Sequence, residues 1–209
     1  MNCILCKSKL SEPIYIENPH RFYDCNCCGS IVRSSDTFPN DSIEIERYES
    51  HNNDVNDPRY QKFVSPITNA VQADFEPQNS LGLDFGAGTG PVITKVLNDN
   101  GYHLNLYDPF FHPDTSVLEQ HYDYIVCCEV IEHFHQPLKE FQRLKNLLKP
   151  QGKLYCMTDI FRNQSAFGNW YYKNDPTHVI FYTEKSLQWI QKEVGFENLT
   201  IDNRLIVYS

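Results

Sequence analysis

The stretch Leu81-Gly82-Leu83-Asp84-Phe85-Gly86-Ala87-Gly88-Thr89-Gly90-Pro91 constrains the fold of this 209-residue chain more than any other. The apolar alternation of Leu81, Leu83 and Phe85 reads as a strand, and the glycines at every second position read as a tight turn. Glycine has no Cβ, so its backbone takes left-handed dihedrals and comes close to a ligand. Pro91 suits the first position of a helix, where its missing N–H would be unpaired anyway. The N-terminus of that helix would turn free N–H groups toward the loop, and Asp84 is placed to add an acceptor there. The spacing is G-x-G-x-G, whereas a dinucleotide fingerprint needs its third glycine where Pro91 stands. A purely structural glycine turn is the plainer alternative.

Length bounds the rest: 209 residues can bury one good core and carry a small appendage. The net charge of −9 argues against a nucleic-acid backbone as the main partner. No apolar run approaches the roughly 20 residues of a membrane span, and the N-terminus lacks the basic and apolar regions of a signal peptide. A cytoplasmic, reducing setting is therefore expected, in which paired cysteines are read as metal ligands rather than disulfides. Cys3-x-x-Cys6 and the knuckle at Cys25 supply the thiolates of a tetrahedral zinc site made by Cys3, Cys6, Cys25 and Cys28. Cys27 competes with Cys28 for the fourth position. Four thiolates leave no open coordination position, so the zinc would be structural, holding together a segment (residues 1–35) too small for a core of its own. Residues 36–57, polar and acidic, read as a linker, although Ile43, Ile45 and Tyr48 suit a segment lying on a neighbouring surface. Residues 58–209 form the main domain, opening with a helix from Asp57-Pro58 that Pro66 is expected to bend or split.

After the glycine loop comes a helix ended by Asn100-Gly101, then a strand ending at Asp108. An acidic residue there, about 20 residues past the glycines, is placed to hold ribose hydroxyls; the plainer reading is a turn before Pro109. Residues 122–128 make a strand buried on both faces, with Glu129, Glu132 and His133 immediately beyond it. The carboxyl end of a buried strand is where open α/β sheets bind ligands. Pro137 opens another helix, and a further strand covers 153–158. This alternation predicts an α/β fold with a doubly covered parallel sheet. Residues 161–182 are irregular and aromatic-rich, enclose Asp175-Pro176-Thr177-His178-Val179, and have the length of a functional loop. Thr183 caps the last helix, Gly195 ends it, and two strands close the chain.

In this order, Leu83 to Gly90, Asp108, Tyr122-Asp123-Tyr124-Ile125-Val126, Glu129-Val130-Ile131-Glu132-His133, Leu147-Leu148-Lys149-Pro150-Gln151-Gly152 and Thr177-His178-Val179 resemble class I S-adenosylmethionine-dependent methyltransferases over residues 58–209. The resemblance implies a Rossmann-like, doubly wound, seven-stranded sheet whose last strand is antiparallel. Only about fifteen residues separate Asp108 from Asp123, so one edge of that sheet is shortened. It implies further that Asp84, Gly86, Gly88 and Gly90 contact the amino-acid part of S-adenosylmethionine, that Asp108 grips the ribose, that Pro109 and Phe110 lie beside the adenine, and that Glu129 sits near the transferred methyl. His133 and His178 are the candidate bases. Glu129-x-x-Glu132-His133 with His178 is also similar to the divalent-metal site of small-RNA 2′-O-methyltransferases and ubiquinone-pathway O-methyltransferases. Two carboxylates and two imidazoles suit magnesium, manganese or another transition ion, the alternative being helix capping and packing. The implied activity is methyl transfer to an oxygen, or a nitrogen, of a small-molecule acceptor. An RNA methyltransferase that grips its substrate with the zinc knuckle and a non-catalytic module binding the cofactor or a protein are the alternatives.

Overall fold

The cysteine loops at the N-terminus flank a β-hairpin, in a computed structural model that describes residues 1–50, 53–162 and 164–209. Strand β1 (Tyr15–Glu17) pairs antiparallel with β2 (His20–Asp24), which pairs antiparallel with β3 (Ile31–Arg33). The segment read as a linker contains a helix, α1 (Asp41–Glu49), whose N-terminus is capped where the Asn40 side chain accepts from Ile43 N; residues 51 and 52 lie outside the described residues. Helix α2 (Pro58–Asp74) begins where the Asp57 carboxylate accepts from Arg59 N. Contrary to the expectation from Pro66, α2 is not split. Proline leaves the carbonyl four residues earlier without its N–H, and that carbonyl, Lys62 O, accepts instead from Ser65 Oγ at 2.8 Å.

Strand β4 (Leu81–Phe85) feeds the glycine loop and α3 (Val92–Asp99). Pro91 precedes the helix rather than opening it: its ψ of 74° is not helical, because the chain is still leaving the turn, and Val92 is the first helical residue. β5 (His103–Tyr107), β6 (Tyr122–Cys128), α4 (Pro137–Leu147) and β7 (Leu148–Met157) follow, then the short β8 (Ile180–Phe181). α5 (Glu184–Val194) is held at its start by a Thr183–Ser186 capping box and at its end by Gly195 at φ 84°. β9 (Leu199–Asp202) and β10 (Leu205–Tyr208) close the chain.

The main sheet has six strands in the order β5-β4-β6-β7-β10-β9, one fewer than the resemblance implies. Its first four strands are parallel, and β10 runs antiparallel to both neighbours. At the β5 edge the shortened connection forms a 3₁₀ turn at Thr115–Glu119, which buries Val117 where a helix and strand would otherwise stand. Alternate residues of β6 serve opposite faces. Tyr124 and Val126 pack with Val64, Ile67 and Leu97 from α2 and α3, and Ile125 and Cys127 pack with Phe141, Leu144, Leu187 and Ile190 from α4 and α5.

The N-terminal hairpin is built into this body. β3 pairs antiparallel with β8, placing Ile31 opposite Phe181 and Val32 opposite Ile180. Cys3, Leu5, Cys28 and Val32 share one core with Ile131 and Tyr182. Among the described residues, no helix is long and apolar enough to cross a membrane.

Candidate active site

A cavity of about 790 Å³ opens at the carboxyl ends of β4, β5 and β6, and the glycine loop lines one end of it. Gly86 and Gly88 have φ of 81° and 61°. A Cβ on Gly86 would lie 2.4 Å from Val130 Cγ2, whereas one on Gly88 would meet nothing within 4 Å, so the open space beside Gly88 is room for a ligand. Gly90 serves a different neighbour: its missing Cβ makes room for the backbone of Asn53, which would stand 2.1 Å away.

Asp108 joins this end of the cavity. Its Oδ2 accepts from Gly88 N at 3.0 Å, and its Oδ1 accepts from Phe110 N at 2.9 Å and Phe111 N at 3.1 Å. A carboxylate has about four acceptor sites, so one stays available to a hydroxyl, with Pro109 and Phe110 lining the wall alongside. Asp84 behaves differently from the expectation. It is buried beneath the loop and accepts from Thr94 Oγ1 at 2.8 Å, away from the cavity lining. Burial raises its carboxyl to about 6, and its contact ties β4 to α3.

The other end carries the imidazoles. Glu129 leaves β6 with a left-handed φ of 54°, and Ile131–His133 follow as a 3₁₀ turn. Glu132 Oε, His133 and His178 bring one ligating atom each to within 4.8 Å of one another. His133 Nδ1 lies 3.0 Å from Thr177 O, and His178 Nδ1 lies 2.8 Å from Tyr172 O. A carbonyl only accepts, so Nδ1 carries the hydrogen in both rings and each Nε2 keeps its lone pair. Burial lowers His133, and burial together with the charge of His133 lowers His178 to about 3, so both rings are neutral at pH 7.

Glu132 is fully buried. Its Oε1 accepts from the Tyr172 hydroxyl, while Oε2 has no hydrogen-bond partner among the described residues. Burial pushes its carboxyl up to about 7, against the opposing bond from Tyr172.

Glu129 does not join the triad, contrary to its expected place as a fourth ligand. Arg204 Nη2, from the β9–β10 hairpin, donates to both its oxygens at 2.7 Å, and the Tyr172 hydroxyl oxygen lies 3.1 Å from Oε2. Burial and the charge of Glu132 raise Glu129 to about 7, with Arg204 opposing. The Arg204 guanidinium lies over the rings of Phe63 and Tyr172, 5.5 and 5.6 Å from their centroids. Tyr172 and Arg204 have no local motif to mark them; only the aromatic density of 161–182 hinted at the first.

Helix α1 roofs the imidazole end. Asp41, Glu44, Arg47 and Tyr48 line the cavity at helical spacing, and Ile43 points outward, 45% exposed. Arg47 Nε and Nη2 donate to Asp175 Oδ2 at 2.9 and 2.7 Å. Tyr48 meets His133 edge to face at 5.3 Å, and His135 Nε2 lies 3.4 Å from Glu44 Oε1.

Away from the cavity, Cys3, Cys6, Cys25 and Cys28 converge, every Sγ within 4.8 Å of the others. Cys3 and Cys28 stand 3.7 Å apart, Cys6 and Cys25 3.4 Å. Tetrahedral zinc with bonds near 2.3 Å sets its sulfurs about 3.8 Å apart, so the cluster has the dimensions of a zinc site. Cys27 is exposed and outside it.

A family described as a methyltransferase domain matches residues 57–201. A ubiquinone biosynthesis O-methyltransferase of Actinobacillus pleuropneumoniae is 32% identical over 90 residues, covering 41% of this chain and 38% of that enzyme. Its counterpart from Cronobacter sakazakii is 28% identical over 92 residues, 44% of this chain and 37% of the other. The chain thus matches well under half the length of these curated relatives. Among solved structures, the 1,6-didemethyltoxoflavin-N1-methyltransferase of Burkholderia thailandensis, with 1,6-didemethyltoxoflavin and S-adenosylhomocysteine bound, aligns over 95% of this chain and 97% of its own. The TM-score is 0.55 at 15% identity, a likeness of fold.

Proposed function

Since this chain belongs to the methyltransferase-domain family of class I S-adenosylmethionine-dependent methyltransferases, we propose that it methylates an oxygen of a small-molecule acceptor. The observation that carries this reading is the pair of neutral imidazoles whose Nδ1–H groups are tied to carbonyls, in the same cavity as the glycine loop. The loop backbone at Gly86–Thr89 and the spare acceptor site of Asp108 fit the cofactor. Bound S-adenosylmethionine supplies a methyl on a positively charged sulfur, so the acceptor needs chiefly in-line positioning and loss of its proton. Nε2 of His133 or His178 takes that proton. Glu129, fastened by Arg204, forms the wall beside them.

A second reading is favoured by Glu132 Oε2, a buried oxygen with no hydrogen-bond partner among the described residues. Such atoms are uncommon in folded proteins and call for an explanation. One carboxylate and two imidazoles suit a divalent ion held by Glu132, His133 and His178, and the imidazoles favour a transition ion over magnesium. Such an ion would lower the pKa of an acceptor hydroxyl. The four cysteines fit structural zinc, and thiols kept reduced for it suit a cytoplasmic setting. The pairing of β3 with β8 supports a hairpin that shapes the active site over one that grips RNA.

Calorimetric titration with S-adenosylhomocysteine is expected to give binding near one per chain, with NAD inert. Turnover is then assayed on catechols, phenols and nitrogen heterocycles, with chelator or with added manganese or magnesium. Binding of NAD in place of S-adenosylhomocysteine would overturn the reading. Equal turnover with chelator and with added metal would remove the ion and leave the imidazoles as bases.

A further inference from the structure

Arg33 lies in β3, in the cysteine-bearing segment, and is 1% exposed. Its side chain makes no ion pair among the described residues; it reaches into the loop that precedes β8. Nη1 donates to Pro176 O at 2.5 Å, and Nη2 donates to Lys173 O at 3.0 Å and Asp175 O at 2.7 Å. Its backbone N donates to Val179 O at 2.9 Å. Burying a guanidinium carries a large desolvation cost. Burial lowers this one to about 10, so it stays charged at neutral pH.

The opposite side of the same loop faces the imidazoles. Thr177 O and Tyr172 O hold the Nδ1–H groups of His133 and His178, and Val179 N donates to Glu132 O at 3.0 Å. The carbonyls that set the two tautomers, at Tyr172 and Thr177, therefore flank the carbonyls that Arg33 holds, at Lys173, Asp175 and Pro176. Residues 172–179 are clamped between β3 and the Glu132–His133 turn.

Building on the methyltransferase reading above, we propose that Arg33 is a positioning residue for methyl transfer: it fixes residues 173–176 so that the carbonyls of Tyr172 and Thr177 keep both Nε2 lone pairs directed into the acceptor site. The planar fork of arginine spans three carbonyls, and the single nitrogen of lysine does not. Among the described residues, Arg33 makes no hydrogen bond to the cofactor end, built on β4 and β5.

The test compares the zinc-replete wild type with Arg33→Lys and Arg33→Gln. Four readouts are taken: S-adenosylhomocysteine affinity, histidine-ring ¹⁵N NMR, amide exchange, and steady-state kinetics with 3,4-dihydroxybenzoate as the probe acceptor. Expected are unchanged zinc content, an S-adenosylhomocysteine Kd and a KM for S-adenosylmethionine within about twofold of wild type, and a kcat at least tenfold lower. His133 and His178 should lose the pure Nδ1–H signature, and amides 172–179 should exchange at least tenfold faster while 81–90 stay unchanged. Wild-type tautomers and loop exchange in Arg33→Lys overturn the proposal, as does an unchanged kcat with altered tautomers. Loss of cofactor binding with faster exchange at 81–90 also overturns it, because Arg33 would then be a general folding residue. If the wild type binds no S-adenosylhomocysteine, the methyltransferase reading fails, while the ring spectra and loop exchange still decide whether the clamp exists.

Discussion

Replacing Gly86 by alanine separates two demands that the glycine loop meets at one residue. The backbone there has φ 81°, and a new Cβ would stand 2.4 Å from Val130 Cγ2 and 2.7 Å from Cγ1. A left-handed backbone costs a residue with a Cβ about 1–2 kcal/mol, and overpacking costs about 1–3 kcal/mol more. Gly86→Ala should therefore lose roughly 2–5 kcal/mol of stability, and at about 2–4 °C per kcal/mol for a chain of this size the melting temperature should fall by about 4–20 °C. Val130 leads directly into the turn that carries Glu132 and His133, so the wedge disturbs both ends of the cavity. Val130→Ala removes the two colliding methyls. In urea denaturation of the two single variants and the double variant, a coupling of about 1–3 kcal/mol should appear, leaving about 1–2 kcal/mol of backbone cost that no repacking recovers. Gly88→Ala is the control: its Cβ meets nothing, so it should lose only the backbone cost in stability, yet weaken S-adenosylhomocysteine binding by filling ligand space. Additivity of Gly86→Ala and Val130→Ala within about 0.5 kcal/mol would refute the steric half of this reasoning.

Other outcomes follow from the same geometry. His178 falls from about 6.5 when unfolded to about 3 in the fold, so the fold binds fewer protons. The stability this contributes is complete above pH 6.5 and lost as pH falls toward 3. His178→Gln should flatten that acid limb by a few kcal/mol, read as urea midpoints at pH 7 and 4.5; an unaltered limb would contradict the buried neutral ring. Arg204→Ala leaves the Glu129 carboxylate without its cation and should cost about 1–3 kcal/mol at pH 8, with part recovered in Arg204→Ala/Glu129→Gln; equal stabilities would dismiss the pair as idle. Metal analysis should find about one zinc per chain in the wild type and in Cys27→Ser, and far less in Cys28→Ser; a loss in Cys27→Ser would reverse the ligand assignment.

The features legible in the sequence are those whose cause is local. The glycine turn, the acidic residue ending β5, the buried strand β6 and the cap at Thr183 each announce themselves within a few residues. Asp84 misleads because its partner, Thr94, sits on the next helix, where the sequence shows only a helix residue. Helix α1 escapes detection for an instructive reason. Its inward stripe is Asp41, Glu44, Arg47 and Tyr48, because it faces a polar cavity, so the apolar periodicity that marks most surface helices is absent. Arg33 and Arg204 are invisible for want of local partners: the groups they hold lie some 140 and 75 residues away. Glu129 shows the cost of reading a motif as a unit, since a distant arginine takes it away from Glu132 and His133.

Asp175 is where β3 and α1 meet the loop that carries His178. Its carbonyl accepts from Arg33 of β3, its Oδ2 accepts two bonds from Arg47 of α1, and its Oδ1 accepts from Thr177 N at 3.0 Å and Thr177 Oγ1 at 2.6 Å. Burial works to raise this carboxyl, but the bonds from Arg47 and Thr177 outweigh it and hold the group well below the usual carboxylate range. The roof over the imidazole end is thus latched by a charge that persists through neutral pH. Asp175→Asn keeps an oxygen for Thr177 and turns an amide N–H₂ toward Arg47. Losing a charged hydrogen bond of about 1.5–3 kcal/mol should speed amide exchange in α1 by roughly 10- to 100-fold, with the β4 amides unaffected. If α1 exchanges at its wild-type rate in Asp175→Asn, the latch lies elsewhere in the helix, with Glu44 and His135 the next pair to break.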